Sequence, residues 1–364
     1  IGMYLDLENQ GYDHDADIAQ CRQLAKDDTA TALHNATVIR GSYAKSLQQG
    51  LTNLRIRDGY DPDAALDKFD ADAAVERTRN QMQAFERVYG REPLTENDWR
   101  MADALDPHSY SPKNLGVPPQ IVAGRFKPIP GSGVVRTNLF IPTGQVVNTF
   151  KDGEDLANGR FLPRNLGDDR GPSAVADVEA SRVSMFIDYD HGLIVVRQNP
   201  TVNVDGMRGG AAAGIPNVHV IQSQDGRMTV DYDARDAYEN PLGTAAGITV
   251  NGRITFSPQA DGSINLGGSS TIYPSMETYQ YREGQAPKLL QWNPANSGSQ
   301  WGPGTSLPRH HWVGDATIPY VRPDMPGWKW ELENVLPFMH DPFIAHTQLL
   351  SDPTDHVPAV SVGR

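Results

Sequence analysis

The feature that most constrains this chain is a series of short β-favouring segments joined by tight-turn dipeptides. Two pairs of such segments occur, at 183–197 and 218–232, around His191-Gly192 and Asp225-Gly226, and the segment 248–256 with the following Asp261-Gly262 offers a third hairpin. A further segment of this kind, 134–141, precedes them. Because Gly-containing dipeptides of this type favour hairpin turns, we predict mainly antiparallel sheets packed as a β-sandwich or open barrel.

The N-terminal third has helical rather than β periodicity. An apolar stripe at Tyr43, Leu47, Leu51 and Leu54 indicates one helix. A second is predicted between the N-terminal signal Asp61-Pro62 and a stop at Gly90, with a stripe at Phe69, Ala73, Met82, Phe85 and Tyr89. A capping box at 95–98 opens a short third helix. This region is therefore predicted to form a helical hairpin.

These two patterns predict an α+β fold in four parts. Residues 1–110 form the helical region, and 111–133 form a proline-rich strap without regular structure. Residues 134–315 form the β-rich domain. Residues 316–364, also rich in proline, are expected to wrap over the body as an irregular tail.

Composition excludes several classes of protein. The 364 residues carry a net charge of −13, which disfavours electrostatic binding of nucleic acid over a broad surface. No apolar run approaches the roughly 18 residues of a membrane span. The single cysteine, Cys21, allows neither an intrachain disulfide nor a Cys-based metal site, and nothing in the sequence requires a cofactor. The chain opens Ile1-Gly2-Met3 without a Sec-type signal peptide, and because it does not begin at Met, an excised domain or a processed product is compatible with the sequence.

The candidate catalytic residues are His310, His311, Asp315 and Arg170. Imidazoles near a carboxylate can perform general acid–base chemistry or bind zinc, and an arginine can bind a carboxylate or phosphate. In an extended segment, His310 and His311 point to opposite faces, so only one of them faces a given pocket. The structural alternatives are histidines hydrogen-bonded to the backbone and an Arg170 that makes a structural ion pair.

Two acidic pairs are candidates for a metal site. Asp188 and Asp190, and likewise Asp231 and Asp233, lie two residues apart in strand-like sequence, so each pair projects from one face of its sheet. Together the two pairs could supply the oxygen ligands of a calcium site. The alternative is that they are solvated charges that discourage aggregation through strand edges.

Five segments carry a resemblance to a known group of proteins: 98–110, 135–142, 167–171, 195–200 and 307–311. They resemble proteins of mycobacteria and other actinobacteria, some of them encoded beside type VII (ESX) secretion loci. In that group a helical N-terminal part precedes an α/β carboxy-terminal domain. The resemblance implies export to the cell envelope or beyond without a Sec signal, and Tyr4-x-x-x-Glu8 matches the export pattern of that pathway. It assigns no catalytic residue.

We therefore expect a secreted or envelope-associated interaction module linked to type VII secretion. Its partner would be a protein or an envelope component, with no nucleic acid and no membrane span. The alternative is an exported hydrolase or toxin-like enzyme that uses a His/Asp cluster, with or without a metal ion. A structural component of an assembly is a third expectation, and the sequence leaves the oligomeric state open.

Overall fold

In the computed structural model, the described residues are 62–111, 114–141, 170–202, 211–237, 249–296, 306–307, 309–314 and 347–363. The chain divides into two compact units, 1–80 and 81–364. The described residues contain two α-helices and two large, mostly antiparallel β-sheets. The predicted α+β class with a mainly antiparallel β-rich part is confirmed, and the strands that the structure describes do not close into a barrel.

Both described helices begin or end at residues that the sequence indicates. Helix α1 spans Pro62–Tyr89 and is followed by Gly90, whose φ of 71° is the left-handed conformation that commonly terminates helices. Helix α2 spans Glu96–Leu105, and Thr95 and Asp98 form the predicted capping box. The predicted helix around residues 43–54 lies outside the described residues.

The first large sheet has six strands in the order β1-β4-β3-β2-β11-β12, and every neighbouring pair is antiparallel. Its strands are β1 Gln120–Arg125, β2 Val134–Phe140, β3 Val183–Asp188, β4 Leu193–Gln198, β11 Ser275–Tyr281 and β12 Lys288–Asn293.

The second large sheet has seven strands, in the order β13-β10-β9-β8-β7-β14 with β15 parallel to β7. These strands are β7 Asn217–Ser223, β8 Met228–Ala234, β9 Val250–Pro258, β10 Ile264–Thr271, β13 His310–Trp312, β14 Gln348–Leu349 and β15 Ser361–Gly363. A small additional ladder pairs β5 Thr201–Val202 with β6 Ala211–Ala212.

All three predicted hairpins form. They are β3–β4, β7–β8 and β9–β10, and each turn contains a glycine with positive φ. At Gly192, for example, φ is 71°, which a β-branched residue would adopt only with strain. The turn dipeptides therefore predicted the local pairing correctly.

The main apolar core lies between the two large sheets. Val135 and Ile187 of the six-stranded sheet pack into the same buried cluster as Val230 and Ile254 of the seven-stranded sheet. On its other face, the six-stranded sheet contributes Phe186, Val195 and their neighbours to a second cluster. That cluster contains the C-terminal end of α1 and much of α2, including Phe85, Met101 and Leu105. Within the second unit, the six-stranded sheet is therefore the middle of three layers.

Two segments differ from their predicted irregular structure. Strand β1 lies inside the predicted strap, because the six residues Gln120–Arg125 contain no proline and the strap's prolines lie on either side of them. In the predicted tail, β14 and β15 pair with β7, and Ser351 and Ala359 form bridges with β1. Residues 347–363 thus join the edges of the two sheets along one side of the sandwich.

The carboxylate of Asp98 links α2 to the loop that precedes it. Arg91 binds it through two hydrogen bonds of 2.7 and 2.8 Å, and the backbone amides of Leu94 and Thr95 also donate to it. Burial opposes ionisation of this group, but the donated hydrogen bonds and the charge of Arg91 outweigh burial and lower the pKa of Asp98 to about 2.

We expect Asp98→Asn to lower the free energy of unfolding by about 2 kcal/mol at pH 7. Because the pKa is lower in the folded state, this contribution is complete above about pH 4 and is lost as the pH falls towards 2. Urea titrations at several pH values would measure it. The exposed Asp355→Asn variant is the control, and a difference between wild type and Asp98→Asn that does not shrink below pH 4 would contradict the assignment.

Candidate functional site

Polar side chains cover part of the outer face of the seven-stranded sheet. Along β8 and β9, the core residues Val230, Tyr232, Val250 and Ile254 alternate with polar residues that point away from the core. Strand register places these polar residues in two neighbouring rows. We call this set the polar face; its members are Asp231, Asp233, Asn251, Arg253, Ser269, Thr271 and His310, and all of them are buried.

Two interactions organise the polar face. Arg253 donates to Asp231 through Nε at 3.1 Å and Nη2 at 2.5 Å, which forms a buried ion pair between adjacent strands. His310 lies 2.6 Å, through Nε2, from the side-chain oxygen of Asn251. Because the Asn251 amide nitrogen donates to Thr249, its oxygen faces the imidazole, and His310 Nε2 carries the proton.

The polar face contains three of the predicted site residues, His310, Asp231 and Asp233, but strands β9 and β10 lie between His310 on β13 and the two aspartates on β8. Asp233 lies directly opposite Asn251 in the strand register, so it neighbours the residue that orients His310. An imidazole held by an amide oxygen in a fixed tautomer is the arrangement that positions a histidine for acid–base chemistry.

The two neighbouring histidines point in opposite directions, as expected for an extended segment. His310 pairs with Thr271 and is fully buried, whereas His311 pairs with Ser270 and is half-buried. Asp315 lies outside the described residues. The structure therefore includes only one of the two imidazoles in the polar face.

Arg170 lies elsewhere, over the outer face of the six-stranded sheet. Its guanidinium is 2.9 Å from the Glu277 carboxylate and 3.3 Å from the centre of the Phe140 ring. Since the sheets share a core, this face and the polar face are on opposite sides of the sandwich. Arg170 makes the structural ion pair of the sequence-based alternative and does not join His310.

Glu277 is fully buried and accepts hydrogen bonds on both oxygens. Arg136 and Asn138 donate to Oε1 at 3.0 and 3.1 Å, and Arg170 and the Ser173 amide donate to Oε2 at 2.9 and 2.8 Å. Arg136 and Asn138 belong to β2, whereas Arg170 and Ser173 belong to the segment 170–182, which leads into β3. One carboxylate therefore connects that segment to the sheet.

Asp188 ends β3 on the helix side of the six-stranded sheet, whereas Asp190 lies in the β3–β4 turn, so the two do not project from one sheet face as predicted, and the structure does not bring them together with Asp231 and Asp233. Asp190 accepts from the Gly131 and Gly133 amides, at 2.7 and 3.2 Å. Asp188 accepts from the Tyr89 hydroxyl and from His191. Among the residues that the structure describes, no group of three or more His, Cys, Asp or Glu side chains is arranged to hold a metal ion.

His191 is a polar group that the sequence indicates only as a turn residue. Its Nδ1 is 2.9 Å from Asp188 Oδ2, its Nε2 is 3.1 Å from Arg91 Nη2, and its side chain is 44% exposed. Nearby, burial and the charge of Asp188 raise the pKa of Tyr89 well above its usual value. The Asp188-x-x-His191 spacing could have indicated this contact, since both residues flank a tight turn.

The two sides of the sandwich differ in how their edges are covered. On one side, residues 347–363 pair with both β1 and β7. On the other side, β12 pairs with β11, and no strand of the described part of the chain pairs with its outer edge. Leu289 of β12 is 41% exposed and Trp292 is half-buried. On this side of the sandwich, β12 and β13 are therefore both edges without a further partner among the described strands, and Trp312 of β13 is 44% exposed.

The chain matches no protein-family model and no curated protein. Among the described helices, none is long and apolar enough to cross a membrane.

We expect Glu277→Gln to lower the free energy of unfolding by about 3–5 kcal/mol, because Arg136 and Arg170 would be left as buried charges without their shared carboxylate. Urea unfolding would measure the loss. Glu86→Gln, on the exposed side of α1, is the matched control and should change stability by less than about 0.5 kcal/mol. An equally small effect of Glu277→Gln would show that the hydrogen bonds and ion pairs of Glu277 contribute little to the free energy of unfolding.

Proposed function

We propose that this protein is a secreted or envelope-associated interaction module that binds an extended segment of a protein partner at β12. The proposal rests on one observation. Residues 347–363 pair with β1 and β7 on one side of the sandwich, whereas no described strand pairs with the outer edge of β12 on the other. Unpaired backbone amides and carbonyls along an edge strand are matched by those of another extended chain. The type VII secretion context rests on the sequence resemblance alone.

Features of β12 favour a selective partner over indiscriminate pairing. The ladder with β11 shifts register between Thr278 and Tyr279, which places an additional residue, Leu290, in β12. Bulges and lysines are devices that protect edge strands from aggregation, and β12 also carries Lys288. Despite this protection, Leu289 remains exposed beside Trp292. A partner strand with an apolar side chain opposite Leu289 would bury it.

Site-specific crosslinking in the organism of origin would test this function. A photoreactive amino acid at position 289 should give one discrete adduct with a protein, because that side chain would contact the partner strand. The same amino acid at position 175, where Val175 is 90% exposed in a loop, is the matched control and should not give that adduct.

The partner identified by crosslinking should no longer co-purify with the Leu289→Asp variant, because binding of the partner strand would bury and desolvate the new carboxylate. It should still co-purify with the Val175→Asp variant. Cell fractionation on the same samples would test the location. The absence of a 289-specific adduct, or identical behaviour of the two aspartate variants, would exclude β12 as the binding edge. Confinement of the protein to the cytosol would contradict the secreted location.

The polar face favours a second candidate function, an exported hydrolase or toxin-like enzyme. His310, held by Asn251, would be its acid–base group. His310→Gln should then reduce hydrolysis of chromogenic esters or phosphodiesters by about 100-fold or more while the circular dichroism spectrum is retained. Elemental analysis of both proteins would test metal assistance. Wild-type protein that hydrolyses none of these substrates would exclude this candidate in the form stated.

A further inference from the structure

The turn between β3 and β4 and the loop between α1 and α2 meet at one imidazole. His191 belongs to the turn, and Arg91 belongs to the loop 90–95. Arg91 Nη2 is 3.1 Å from His191 Nε2, while Asp188 Oδ2 is 2.9 Å from His191 Nδ1. The side chain of His191 is nearly half exposed, so protons can reach it from solvent.

The partners of His191 fix its tautomer. A guanidinium can only donate hydrogen bonds, so Nε2 must accept from Arg91. The Asp188 carboxylate accepts, so Nδ1 must carry the proton and donate to it. In this arrangement the imidazole is neutral, and it bridges the carboxylate on the sheet to the cation on the loop.

The rest of the network holds Arg91 in place from the other side. Asp98 binds Arg91 through two hydrogen bonds, and Asp188 also accepts from the Tyr89 hydroxyl at 2.8 Å and from the His191 amide. The charged and titratable groups around the imidazole come from several elements: Tyr89 of α1, Arg91 of the loop, Asp98 of α2, Arg125 of β1, and Asp188 and Asp190 at the turn.

We propose that His191 is a pH-sensitive latch between the β3–β4 turn and the α1–α2 loop. When the imidazole gains a proton, Nε2 becomes a donor and faces the donor Nη2 of Arg91, so that the contact between them is lost and two cations are left side by side. The Nδ1 contact with Asp188 is retained and becomes charge-assisted. Histidine is the side chain that ordinarily changes charge nearest neutral pH, and protonation of this imidazole on acidification releases the loop from the turn.

The release is local, because other contacts of this region do not depend on the imidazole. Phe85 remains in the apolar cluster beneath the helices, and Arg91 remains bound to Asp98, whose pKa is about 2. The expected consequence is a loop 90–95 that opens more often at pH 5.5 than at pH 7.5, on a fold that stays intact.

The wild-type tautomer is the first test. Long-range ¹H–¹⁵N spectra of the full chain at pH 7.5, with His191→Gln to assign the signal, should show a neutral ring protonated at Nδ1. A ring protonated at Nε2 would overturn the proposal, because Nε2 could not then accept from Arg91. The spectrum of the wild-type protein decides this test, and the His191→Gln variant serves only to assign the His191 signal.

Hydrogen exchange is the second test. After correction for intrinsic rates, protection of the Gly90, Leu94 and Thr95 amides, which donate hydrogen bonds in the structure, should fall by about threefold or more between pH 7.5 and 5.5 in wild type. His191→Gln keeps an acceptor for Arg91 but cannot gain a proton, so its protection should not change in this way. His356→Gln, which replaces an exposed histidine elsewhere, should respond like wild type. An equal response in His191→Gln would overturn the proposal.

Discussion

The six-stranded sheet buries apolar side chains on both of its faces, and the arrangement of the second unit depends on this constraint. One face packs against the seven-stranded sheet, and the other packs against α2 and the end of α1. A sheet covered on both sides does not need alternating polar residues, which explains the continuous apolar run Leu193-Ile194-Val195-Val196 in β4. The helices are therefore part of the same folded unit as the sheets from residue 81 onward.

Buried charged groups connect the irregular segments to this layered core. Glu277, on β11, joins the segment 170–182 to β2. Glu179 accepts from the Tyr110 and Ser111 amides and from Ser109 and Asn114. Arg197, fully buried, donates to the backbone carbonyls of Asp106 and His108. Each of these charged groups forms hydrogen bonds with several backbone or side-chain partners, and these hydrogen bonds offset the free-energy cost of burying its charge.

Both proposals concern the edges of the sheets and the turns and loops that connect their strands and helices. Residues 347–363 occupy the edges at β1 and β7, and the open edge at β12 supports the proposed partner binding. His191 lies at a different point, where a hairpin of the sheet contacts the loop between the helices. Binding at one edge and a proton-dependent contact near the helices use separate parts of the molecule, so each can be altered without the other.

Local structure was determined by the sequence itself. The glycine-containing dipeptides determined three hairpins, Gly90 determined the end of α1, and Thr95 with Asp98 determined the start of α2, because each acts over a few neighbouring residues. Which distant residues meet was decided only by the tertiary structure. Strand order separates Asp188 from Asp231, joins Arg170 to Glu277, and gives a proline-flanked segment the role of strand β1. Such contacts depend on the packing of the whole unit, and no spacing along the chain encodes them.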